Sequence, residues 1–162
     1  MKRIAIIGVL GIVLMLAMAL PVNAAPSSTY TSNEIVQYTT TVWVPCANGG
    51  SGENVLLSGE IHNLYHYTIN GNSFTFKGHT NAKGLTGVGQ VTGDKYHATG
   101  VSQDIQTGSF VNDQYSWTYV YNFHMIGQGK GNNYLVHETY HYTLNANGEL
   151  TAYVDNYTVD CK

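Results

Sequence analysis

Apolar and polar residues alternate with a period of two along most of the chain from residue 34 onward, and Gly/Asn clusters interrupt the alternation. The alternating runs are rich in Tyr, Val, Thr and Phe, the residues that suit a pleated, half-buried surface. They predict strands at about 34–45, 53–69, 73–81, 94–101, 115–127, 133–144 and 149–160. The glycine-rich stretch 83–93 leaves room for one more short strand. No segment carries a helical period. The Ser/Thr/Pro-rich stretch 25–33 reads as a flexible tail. The expected fold is therefore all-β, an antiparallel barrel of about seven to eight strands, with a two-sheet β-sandwich as the alternative.

Three turns set the expected register. Asn70-Gly71 is a type I′ hairpin signal and pairs Tyr67 with Phe74 and Tyr65 with Phe76. Lys130-Gly131, between Gly129 and Asn132, pairs Trp117 with Leu144, Tyr119 with Tyr142, Tyr121 with Tyr140, Phe123 with Glu138 and Met125 with Val136. Asn147-Gly148 pairs Tyr142 with Tyr153, Tyr140 with Asp155 and Glu138 with Tyr157. A slip of one residue would mix apolar and polar faces, so burial favours these pairings.

The N-terminus reads as a targeting segment. Lys2 and Arg3 precede an apolar run from Ile4 to Leu20, and Pro21 and the small-residue pattern Val22-Asn23-Ala24 follow. Its length is near that of a membrane span, so an uncleaved anchor is the rival reading. Cleavage after Ala24 would leave 138 of the 162 residues. The organisation is then a signal peptide at 1–24, a tail at 25–33 and a single β domain at 34–162, in a secreted, periplasmic or otherwise extracytoplasmic location. Without Lys2 and Arg3 the formal charge becomes −5 and no arginine remains. An acidic, arginine-free surface argues against nucleic acid and against anionic membranes as partners. Cys46 and Cys161, the only two cysteines, read as one disulfide in an oxidising compartment. Seven up-and-down strands would bring those two positions to the same end of the sheet, whereas an eight-strand meander would separate them.

Glu138 is the first candidate for chemistry. It shares a face with Tyr134, Val136, Tyr140 and Tyr142, so desolvation should raise its pKa and suit it to general acid or base work. A structural glutamate bonded to a phenol explains the same pattern. With it, Tyr121, Tyr140, Tyr142, Tyr157 and Asp155 form the candidate ligand-binding set. Ten of 13 tyrosines fall on the inward face, which implies either a packed aromatic core or a cavity with hydroxyls to satisfy. The histidine pairs four apart lie about 13 Å from each other on a strand, too far to share a metal. Glu60, His62 and His79 form a weak cross-strand zinc candidate, and His124 opposes His137, but these positions alternate toward water. No metal and no cofactor is called for. Gly87-Val88-Gly89 lacks a following helix, and no serine has a nucleophile-elbow context.

The segments Val42 to Gly50, Gly93 to Tyr96, Ile126 to Gly129, Gly131 to Asn133, His137 to Thr139 and Asn145 to Glu149 resemble a family of short exported prokaryotic proteins. That resemblance implies export and a single β domain and supplies no activity. In shape alone the chain is similar to lipocalins, dirigent proteins and allene oxide cyclases. Three roles compete: binding of a small apolar or aromatic ligand, a cyclase or isomerase using a buried Glu138, and a structural or adhesive envelope role. The inward tyrosine face favours the first, with a small molecule as the expected partner. The sequence does not indicate an oligomeric state.

Overall fold

Pairing of the alternating runs produces one antiparallel sheet of seven strands in a simple meander, in the order β1-β2-β3-β4-β5-β6-β7. The computed structural model describes residues 26–128 and 132–162. The strands are β1 (Ser27–Val44), β2 (Glu53–Asn70), β3 (Ser73–Gly89), β4 (Lys95–Ser109), β5 (Tyr115–Gly127), β6 (Tyr134–Leu144) and β7 (Leu150–Cys161). A single 3₁₀ turn at Asn48–Gly50 follows β1. The expected signal segment and the Lys130-Gly131 turn lie outside the described residues. Among the described residues no helix is long and apolar enough to cross a membrane.

The all-β expectation and the strand count hold, but hydrogen bonding does not close the sheet. β1 and β7 are its two edges, so the sheet is neither a closed barrel nor a two-sheet sandwich. The edges are instead joined covalently at one end. Cys46, just past β1, and Cys161, at the end of β7, form a disulfide with Cα atoms 5.6 Å apart. With an odd number of antiparallel strands, β1 and β7 run the same way and finish together. The sheet must curl for them to meet.

Two stretches that the composition marks as irregular are strand. Ser27 to Asn33, expected as a flexible tail, extends β1 and pairs with Leu64 to Asn70 of β2. The glycine-rich segment is no separate strand but the continuation of β3 beyond a bulge. One extra residue on β3 lies between Asn81 and Leu85, where Gly84 has φ +69°. Opposite it, a Cβ on Gly59 would collide with the Gly84 carbonyl, so the bulge requires glycine on both strands. The bulge switches the inward residues of β3 from Phe74, Phe76, Thr80 and Ala82 to Leu85, and so keeps the core-forming residues on one face.

Two expected registers shift by two residues. At the first hairpin Asn70 pairs with Ser73, and Tyr67 therefore opposes Phe76 rather than Phe74. Of the loop residues only Gly71 has positive φ, at +58°, as a type II′ turn requires of its first position. The β5–β6 pairing sets Trp117 against Tyr142, Tyr119 against Tyr140, Tyr121 against Glu138, Phe123 against Val136 and Met125 against Tyr134. An even shift preserves the faces, so the division between inside and outside survives. The β6–β7 register follows the expectation, with Tyr142 against Tyr153, Tyr140 against Asp155 and Glu138 against Tyr157.

That division separates two residue types completely. Followed through the registers, all 13 tyrosines lie on one face of the sheet and all seven histidines on the other. The core sits on the tyrosine face at the disulfide end, built from Val44, Val55, Leu57, Leu85, Ala98, Phe123, Met125 and Val136 with Cys46, Ala47, Tyr96 and Tyr134. Away from the disulfide the same face opens, and every residue of β7 is exposed.

The disulfide closes a loop with a sequence separation of 115. Chain-entropy arguments give such a closure about 4–5 kcal/mol of stabilisation. Denaturant unfolding of the Cys46→Ala/Cys161→Ala variant should show a loss on that scale. A loss below about 1 kcal/mol would mean that the sheet holds its curl without the covalent tie.

Candidate functional site

The tyrosine face carries an aromatic ladder that crosses the sheet from β2 to β7. Tyr65 stacks on Phe76 at 5.9 Å, and Phe74 contacts Tyr115 at 6.4 Å. Tyr115 meets Tyr142 at 5.5 Å, Trp117 meets Tyr140 at 5.1 Å, and Tyr140 meets Tyr153 at 5.7 Å. A second line runs along β5, with Tyr119, Tyr121 and Phe123 stacked at 6.2 and 5.9 Å. Such contacts add to simple area burial, and they hold the rings in fixed orientations.

Where this face curls, it forms a half-open cavity of about 430 Å³. Its floor is the edge of the core, Leu57, Leu85 and Phe123; Tyr119 and Tyr121 form one wall, and Tyr38 of β1 faces them. Thr40, Thr80 and Ser102 bring hydroxyls into the same space. The meander places β1 and β5 four strands apart, so only the curl lets Tyr38 and Tyr121 share a cavity. Burial pushes the Tyr121 phenol up, and its neighbours Tyr119 and Tyr38 add to the effect.

The six candidate residues do not form one site. Tyr121 lines the large cavity. Glu138 and Tyr140 line a neighbouring depression of about 320 Å³ with Asp104, Trp117 and Tyr119. Tyr142 packs between Tyr115 and Trp117. Tyr157 is 58% exposed on β7, its phenol directed at Tyr134. Asp155, also exposed, accepts a hydrogen bond from the Tyr153 hydroxyl at 3.2 Å. Glu138 itself is half-buried, not enclosed. Its cross-strand neighbours are Tyr121 and Tyr157, and Phe123 lies opposite Val136 instead.

The zinc candidate is dispersed. The shifted hairpin sets His62 against Asn81 and His79 against Leu64. His62 Nε2 is 2.6 Å from Asn33 Oδ1, and Glu60 accepts from Gln37 at 3.1 Å. His124 opposes Leu135, and His137 opposes Asn122. Among the described residues no three ligating side chains converge.

The buried carboxylate in this protein is Glu53, which the sequence pattern did not single out. It is 1% exposed. Its Oε2 accepts the N–H groups of Val91 and Thr92, both at 3.0 Å. Its Oε1 accepts the Thr92 hydroxyl at 2.7 Å and the Tyr96 hydroxyl at 3.1 Å. Burial opposes ionisation, but these donors outweigh it and hold the carboxyl below its ordinary range. A Cβ on Gly89 would run into this carboxylate, which explains glycine there. Glu53 is fully satisfied and pins the turn between β3 and β4, so it is structural. The signal available in the sequence was an acid on the inward parity of β2, two residues before Val55.

No family model, curated protein or solved structure matches this chain.

The Glu53 carboxylate and the raised phenols set opposite limits in pH. Glu53, with a lowered folded pKa, contributes stability above its unfolded value of about 4.3, and that contribution is lost as pH falls through the folded value. Tyr96, Tyr115 and Tyr134 are each pushed up to about 12, chiefly by burial. Their contribution is complete below the unfolded phenol value of about 10 and is lost as pH rises toward the folded one. Urea midpoints measured across pH should therefore fall at both ends. Glu53→Gln should cost about 2–3 kcal/mol near neutrality and flatten the acid limb, and because the carboxylate also raises the Tyr96 phenol it should remove part of the alkaline limb. An unchanged acid limb in that variant would contradict the assignment.

Proposed function

We propose that this is an exported β-sheet protein that binds a small apolar or aromatic ligand in the cavity between β1 and β5, with the curled sheet acting as an open barrel. The carrying observation is the cavity of about 430 Å³ whose lining combines aliphatic floor, aromatic walls and a few hydroxyls. That volume and that mixture are typical of small-molecule sites. Tyr38, Tyr119 and Tyr121 provide ring faces for stacking, Val42, Ile61 and Leu85 provide apolar contact, and Thr80 and Ser102 provide hydrogen bonds. Export is supported by the N-terminal charge and apolar pattern and by the disulfide, which persists in oxidising compartments.

A proton-transfer role for Glu138 receives less support, since the carboxylate is half exposed and lies outside this cavity. A structural or adhesive role rests on composition alone.

The uncharged fluorophore diphenylhexatriene tests the proposal. Its emission should rise on titration with the purified protein. Ala82 lines the cavity, and Ala82→Trp should fill it and weaken binding roughly tenfold or more. Equal binding by the folded variant, or no binding by the wild type, would overturn the reading.

A further inference from the structure

The cavity between β1 and β5 does not end at Tyr119. The same ring forms a wall of the adjoining depression of about 320 Å³, whose other walls are Trp117 and Tyr140 and whose rim carries Asp104 and Glu138. The three rings are not coplanar. Trp117 and Tyr140 meet edge to face at 62°, and Trp117 and Tyr119 are tilted by 45°. They therefore form the sides of an open box and not a flat platform. Asp104 is held in place by the Trp117 indole N–H at 2.8 Å and by Gln106 Nε2 at 3.0 Å. Glu138 stands two strands away, on β6, so the carboxylates bracket Tyr119 from opposite sides. Two strand spacings and a two-residue offset along β5 place their backbones about 12 Å apart, with the box between them.

This box contains negative charge and ring faces with no positive side chain from the sheet. Lys77, Lys83 and Lys95 pair with His66, Glu60 and Val88, positions on the opposite face. All seven histidines are on that opposite face as well, and the sole arginine is Arg3. Ring faces attract cations through their quadrupole, and carboxylates at the rim add to that attraction. A metal ion is a poor fit, since no three ligating groups converge among the described residues.

We propose that the Trp117–Tyr119–Tyr140 box, with Asp104 and Glu138 at its rim, receives the positively charged end of an organic cation whose apolar or aromatic body lies in the larger cavity. The ligand class is then a quaternary ammonium or protonated amine attached to an apolar group. The inference rests on the cavity reading above and narrows it.

Benzyltrimethylammonium and its uncharged isostere neopentylbenzene separate the two claims. Binding is followed by Trp117 emission in a Trp43→Phe background. The cation should bind roughly tenfold or more tightly than the isostere. Asp104→Asn/Glu138→Gln should bring that preference close to one, and Glu138→Gln alone, at a half-exposed position, serves if the double variant does not fold. Equal binding of the two probes by the wild type, or a preference that survives neutralisation of both acids, would overturn the cation assignment and leave the cavity reading in place. Binding of neither probe would overturn both.

Discussion

Alternation that keeps one aromatic face, restored by bulges where it would slip, is the constraint on which the rest of the molecule depends. Each strand must keep its tyrosines and its core residues on one face through the sheet's bends. β3 does so by inserting one residue at Gly84, and β7 does so between Leu150 and Ala152. A strand that failed to compensate would turn its tyrosines to water and its histidines inward. The cost of exposing several large rings would exceed the modest stability of a domain this size. Thirteen tyrosines on one face and seven histidines on the other are the visible result.

The disulfide turns that two-faced sheet into a container. A flat meander would leave its apolar face open. Joining Cys46 to Cys161 brings the two edge strands together at one end, and there the face is dry enough to form a core. Farther along the strands the edges are untied and the face is only partly covered. Between these regions lies the half-open cavity that Tyr38 shares with Tyr119 and Tyr121. Core, cavity and open aromatic surface thus form a gradient along one face, set by distance from one covalent link. Glu53 fastens the core end by tying the β3–β4 turn to the start of β2.

Much of this architecture was legible in the residues. The period of two identifies the strands, and the parity argument from Cys46 and Cys161 requires an odd number of them or one crossover. Turn chemistry was less decisive. Asn70-Gly71 suggested a type I′ loop, but glycine occupies the first loop position, and the register moved by two. That small change dispersed Glu60, His62 and His79. A shift of equal size between β5 and β6 moved Glu138 from Phe123 to Tyr121. The site was legible in part: Tyr121 was identified, while Tyr38, on a strand four places away, becomes a neighbour only through the curl. Closure could not be read at all, since it depends on whether two edge strands come within hydrogen-bonding distance. Glu53 was overlooked because an isolated acid at a strand's start resembles a solvated end.

The central claim is that a ligand enters the tyrosine face between β1 and β5. Intermolecular nuclear Overhauser effects from an added aromatic ligand to methyl groups test it most directly. The account predicts contacts to Val42, Leu57, Ile61 and Leu85, which line the cavity. Contacts confined to Leu56, Leu64 and Val88, exposed on the histidine face, would contradict it.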